Sequence, residues 1–112
     1  MTVFLVNPAG ASLDLSGARQ YGDLRYANVR YVYADEIQDD GSMPPAAELN
    51  LFQKAESFNP DTDYLLIAGD DLQLVALAAM LGVRFKQFRV LRWDRQAKGY
   101  YVVTIRSEKF PT

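Results

Sequence analysis

The chain has 112 residues, 49% of them hydrophobic and 23% charged, with a formal net charge of −2; this length supports one small domain with one core, and the composition excludes wholesale disorder. It contains no cysteine and no histidine, which excludes disulfides, thiolate nucleophiles, Cys/His zinc sites, imidazole bases and any Ser-His-Asp arrangement. Catalysis would have to come from carboxylate, Lys, Tyr, Ser or Thr, or from a metal held by oxygen ligands.

Thr2–Asn7 is β-branched and aromatic and is stopped by Pro8 and Gly10, so it predicts a short central strand. Gly17 and Gly22 limit the next segment to a loop with a helical turn. Asp23–Tyr33 alternates aromatic and β-branched residues with polar ones and predicts a long strand ending near Tyr33. The acidic, Gly- and Pro-rich stretch from Asp35 predicts an exposed loop. Pro45–Phe58 predicts a helix, with Pro45 at its first position and Leu51, Ala55 and Phe58 on one stripe. Asp63–Gly69 predicts a buried strand, and Asp70 or Asp71 the cap of a helix from about Leu72 to Leu81, ended by Gly82.

The segment from Gln87 to Arg106 predicts a β-hairpin with its turn at Arg95–Gly99. That turn would put Leu91, Trp93, Tyr101, Val103 and Ile105 on one face, and Phe88, Val90, Arg92, Tyr100, Val102 and Thr104 on the other. The expected order is therefore β-β-α-β-α-β-β: an α/β fold in a single domain, 1–112, with a mixed sheet of about five strands, two helices and a C-terminal hairpin. No run approaches the roughly 18 apolar residues of a membrane span, and the N-terminus lacks the basic leader and long apolar segment of a signal peptide, so the expected location is the cytoplasm.

Charge is uneven along the chain: up to Asp63 four basic residues face ten carboxylates, whereas from Tyr64 onward eight face four. The basic half interleaves Arg with Tyr and Trp, a pattern that stacks on bases and pairs with phosphates and is also enriched in protein interfaces. Arg89, Arg92, Trp93 and Tyr100 are the candidate contacts to a ligand or partner. The acidic overall balance disfavours a long polyanion and points instead to a compact ligand or a protein.

At the strand–Gly–helix junction, Asp70 and Asp71 already supply the negative charge that a helix N-terminus attracts, so capping is the better reading than phosphate binding. The junction would be catalytic only through a Mg²⁺ or Mn²⁺ ion shared with a phosphate; no cofactor is otherwise expected. Asp35, Glu36, Asp39 and Asp40 lack the EF-hand spacing and read as a solubilising loop. The helix LQLVALAAML has almost no polar side and must be covered all round, either within the monomer or by a second copy. Leu72, Val75, Ala79 and Met80 are its candidate packing or dimer residues.

The opening VFLVN, the Gly69–x12–Gly82 spacing around a helix, the Arg89-Val90 strand start and the closing hairpin resemble the small viral ring-nuclease proteins, anti-CRISPR proteins of archaeal viruses and phages. That resemblance implies a dimeric α/β fold that binds cyclic oligoadenylate, with contacts from Asn7 and Arg89. The family's pattern has Gly-His where this chain has Gly69-Asp70, so the cleavage chemistry does not carry over. The chain also resembles small uncharacterised proteins of tailed phages, which implies the host cytoplasm. The resulting expectation is a phage-type homodimer that binds without turnover, sequestering a nucleotide signal or inhibiting a host protein. The alternatives are a metal-assisted phosphodiesterase acting through Asp70 and Asp71, and a minor virion or assembly protein.

Overall fold

The computed structural model describes residues 1–6 and 15–107. Its centre is built from apolar segments too short to satisfy their backbone groups alone. β1 (Thr2–Leu5) and β3 (Tyr64–Leu66) pair in parallel, flanked by β2 (Asp23–Tyr26) and β4 (Gln87–Asp94), with β5 (Gly99–Arg106) antiparallel at the edge. The five-stranded order is β2-β1-β3-β4-β5. Val3, Leu5, Leu65, Leu66 and Leu91 are fully buried, as expected for strands covered on both faces.

Helices α1 (Pro45–Glu56) and α2 (Asp71–Arg84) make the crossovers β2→β3 and β3→β4. Each returns the chain to the start of a parallel strand, so the two helices run in the same direction. Leu51, Ala55, Leu77 and Leu81 pack with Phe4, Val6, Leu65, Phe88 and Val90 on one side of the sheet. The stripe read from the sequence, Leu51, Ala55 and Phe58, is buried as a unit. On the other side Val3, Leu5, Tyr64, Leu66, Leu91 and Tyr100 form a smaller core beneath a 3-10 segment (Ser16–Tyr21) that supplies Ala18 and Tyr21. This is the turn of helix expected there, and it lies on the opposite face because the connection β1→β2 moves across the sheet in the opposite direction to the next two.

Three expectations are corrected. The strand expected to reach Tyr33 ends at Tyr26, because Asn28 turns the chain out at φ 54° after the Ala27 N–H has donated to the Leu5 carbonyl. Ala27, Val29 and Val32 are still buried, so the alternation belongs to an irregular segment laid against the core. Gly82 lies inside α2, which continues to Arg84. The hairpin turn is one residue shorter than read: Asp94 pairs with Gly99, and the register sets Phe88, Val90 and Arg92 opposite Ile105, Val103 and Tyr101. A one-residue change flips every side chain of one strand, so Tyr101, Val103 and Ile105 share the helical face with Phe88 and Val90, while Trp93 and Tyr100 share the other.

At the β3–α2 junction Gly69 has φ +101°, and a Cβ there would sit 2.2 Å from the Val6 carbonyl oxygen. Gly41, in the acidic loop, also has positive φ (+86°) but has open space around it. We expect Gly69→Ala to lower stability by roughly 3–5 kcal/mol or to prevent folding, and Gly41→Ala to cost only about 1–2 kcal/mol. Urea unfolding of the two variants separates the steric from the purely conformational cost.

The segment after β2 is tied down by polar contacts. The Arg30 N–H donates to Asn50 Oδ1 at 2.9 Å, the Arg30 guanidinium pairs with the Glu36 carboxylate, and the Tyr33 N–H donates to Glu36 Oε1 at 3.0 Å. The Tyr33 N–H and then Arg30 hold the Glu36 carboxyl below its usual range. A carboxyl whose pKa is lower folded than unfolded adds stability above the unfolded value, and the contribution is lost as pH falls through the folded one. The Tyr33 amide resonance should therefore titrate with a midpoint below the usual glutamate range, and Glu36→Gln should abolish that titration.

Candidate functional site

Among the parallel strands the order reverses between β1 and β3, whose carboxyl ends face the junction Ile67–Asp71. In open α/β sheets ligands bind at such a switch point, which makes the junction a candidate site by analogy of fold. The junction is largely self-satisfied. Asp70 Oδ1 accepts from the Gln73 N–H at 3.0 Å and Asp71 Oδ1 from the Leu72 N–H at 2.8 Å, while the Leu74 N–H donates to the Asp70 carbonyl at 3.0 Å. The Leu72 and Gln73 N–H groups are thus engaged, and the carboxylates that engage them are negative. Asp70 is the cap expected from the sequence. Asn7 lies outside the described residues.

The four sheet candidates divide between two faces. Arg89, Trp93 and Tyr100 lie on the side of the smaller core, and Arg92 on the helical side. Arg89 is held within the fold: its guanidinium carbon sits 4.1 Å from the Tyr64 ring centroid, and its nitrogens donate to Tyr64 Oη at 2.9 Å and the Asp61 carbonyl at 2.8 Å. Trp93 and Tyr100 pack edge to face at 5.1 Å, with Tyr100 buried and the Tyr21 hydroxyl donating to its carbonyl. These side chains close the sheet under the 3-10 segment and leave little surface for stacking a base. Arg92 is exposed and donates to Tyr101 Oη at 3.0 Å.

The helical face is different in kind. α2 buries Gln73, Leu77 and Leu81, so its opposite side, spaced by four, is Val75, Ala79 and Val83. Val75 is 67% and Val83 91% exposed, with Leu72 also exposed and Met80 half-buried. On one flank lies a groove of about 640 Å³ between the helices, walled by Met43, Leu51, Phe52, Ala55, Met80 and Val83. On the other flank a groove of about 440 Å³ opens over β4 and β5, between Ala78 and Ile105. Phe52 (54% exposed) and Leu49 (60%) carry the apolar surface onto α1.

Sequence reasoning missed Phe52 and Leu49, which stand off the buried stripe of α1 and were legible as apolar residues on a helix face with no core to meet. It also passed over Gln73, buried with neither amide atom hydrogen-bonded. Such a group inside an otherwise apolar helix marks a place where burial is forced by its neighbours. Among the described residues, no three carboxylates gather as a metal site would require, and no helix is long and apolar enough to cross a membrane.

Residues 1–107 match the family described as Phage Pam3 gp32-like protein. The chain belongs to this family. The phage likeness seen in the sequence is thereby supported, whereas the likeness to viral ring nucleases finds no support in the comparisons. No curated protein and no solved structure matches the chain.

We expect Asp70→Ala to lower stability by about 1 kcal/mol through loss of the cap, and Arg92→Ala, on the exposed face, to change it by less than about 0.5 kcal/mol. Thermal unfolding of both variants measures the difference.

Proposed function

We propose that this phage protein acts by holding another protein chain against its helical face, without turning over a substrate. The observation that carries this reading is the exposed apolar surface formed by Phe52 on α1 and by Val75, Ala79 and Val83 on α2, with a groove on either flank of α2. Soluble monomers rarely leave large contiguous apolar patches open, and such patches commonly mark interaction sites. The inter-helix groove includes Met43 and Met80, whose flexible side chains adapt to a partner's shape. A protein partner fits better than a nucleotide signal, because Arg89 is engaged by Tyr64 and Asp61 and the first N–H groups of α2 are engaged by Asp70 and Asp71.

The competing enzymatic reading, a metal-assisted phosphodiesterase using Asp70 and Asp71, rests on two carboxylates that each accept a backbone N–H at the start of α2. Two measurements test the proposal. Phe52→Glu should remove association with protein partners while leaving the circular dichroism and melting temperature of the free chain unchanged. Incubation with cyclic and linear oligonucleotides plus Mg²⁺ or Mn²⁺ should yield no product. Turnover lost in Asp70→Asn, or association untouched by Phe52→Glu, would overturn it.

A further inference from the structure

Resting on the reading of the helical face as a docking surface, we infer that its occupant is a second copy of this chain, with the two α2 helices antiparallel across a two-fold axis near Ala79. The first reason is the distribution of charge. From Leu72 to Val83 α2 carries no charged residue, so within the ridge there is nothing to select an acidic or basic partner. The charges stand at its ends. Because α1 and α2 run in the same direction, Glu48 in the first turn of α1 and Arg84 in the last turn of α2 sit at opposite ends of the groove they both line. A two-fold axis through the middle of that face lays the Glu48 end of each copy over the Arg84 end of the other, twice. The same rotation opposes the two helix dipoles. A parallel arrangement would put like charges together, which the interface would have to oppose.

The second reason is shape. The exposed ridge Val75–Ala79–Val83 has the four-residue spacing that seats into the groove of a neighbouring helix, and grooves lie on both flanks of it. With the axis at Ala79, Val75 of one copy meets Val83 of the other and the smallest side chain falls at the crossing, where the helices come closest.

Sedimentation analysis across a concentration series tests this. The wild-type chain is expected to be dimeric at low micromolar concentration, on the order of the affinities such interfaces reach. Val75→Glu should be monomeric with an unchanged circular dichroism spectrum and melting temperature, since Val75 is exposed in the free chain. Glu48→Lys and Arg84→Glu should each weaken self-association about tenfold or more by setting like charges face to face. Mixing those two variants restores opposite charges at both contacts and should recover the dimer. A wild-type chain that is monomeric throughout, a Val75→Glu variant that stays dimeric, or a mixture no tighter than its components would each overturn the inference. If the chain is monomeric yet Phe52→Glu abolishes its association with a host protein, the docking surface stands and only the second copy is wrong. If neither association is found, both readings fall.

Discussion

The approach of Gly69 to the end of β1 is the constraint on which the arrangement depends. Its backbone lies so close to the Val6 carbonyl that no Cβ fits, which holds the start of α2 against the central strand pair. From that point α2 can return only over β3 and β4. The Asp70 cap then uses a first-turn N–H that the close approach leaves facing a carboxylate, not solvent. A junction that looks in outline like a phosphate site thus has two of its helix N–H groups capped by its own carboxylates. At the other end of the sheet Asp63 has a comparable role: one carboxylate accepts from the Thr2 N–H at 3.0 Å and the Asn59 N–H at 2.8 Å, clamping the start of β1 to the entry of β3.

With both long helices on one side, the two faces of the sheet have different work. The face under the 3-10 segment is closed by aromatic side chains and by Arg89, whose terminal nitrogens bond Tyr64 and Asp61 while its buried Nε has no partner among the described residues. The helical face buries its inner stripes well but has only two helices with which to cover five strands. A helix with side chains is about 10 Å wide and strands are about 4.8 Å apart, so two helices do not span all five strands: among the described residues Ile105 of β5 and Val75 and Val83 on the outer side of α2 stay exposed. Small domains bury a smaller fraction of their apolar surface than large ones, and here the large apolar side chains left exposed include Leu72, Val75 and Val83 on α2, Leu49 and Phe52 on α1, and Tyr31 and Tyr33 after β2.

Several elements were legible because their signals are local. Pro45 opens α1, the Leu51–Ala55–Phe58 stripe is its buried side, and Asp70 caps α2. Each depends on residues within a turn or two of one another. The failures have equally specific causes. The alternation Tyr26–Tyr33 has the period of a strand, but the pairing of β2 with β1 ends at Tyr26 and Leu5, and once the Ala27 N–H has reached the Leu5 carbonyl Asn28 takes a positive φ that leaves the strand. Gly82 resembles a stop, yet α2 runs through it to Arg84, because its backbone stays helical and a Cβ there would meet only the Phe88 ring at an ordinary 4.0 Å. In the hairpin, a turn misjudged by one residue exchanged the faces of one strand, which moved Tyr100 away from Arg92 and put Tyr101 opposite it.

The sequence alone determined the α/β class, the element order, the absence of imidazole and thiol chemistry, and a second helix too apolar to be surrounded by water. All of these rest on residue identity or on spacing along one element. Only the tertiary structure decided which apolar side of that helix is buried, that Arg89 is consumed by Tyr64 and Asp61, and that Trp93 and Tyr100 face away from the helices. Those outcomes depend on strand register and on contacts between residues far apart in the chain, where a shift of a single position reverses which side chains meet solvent.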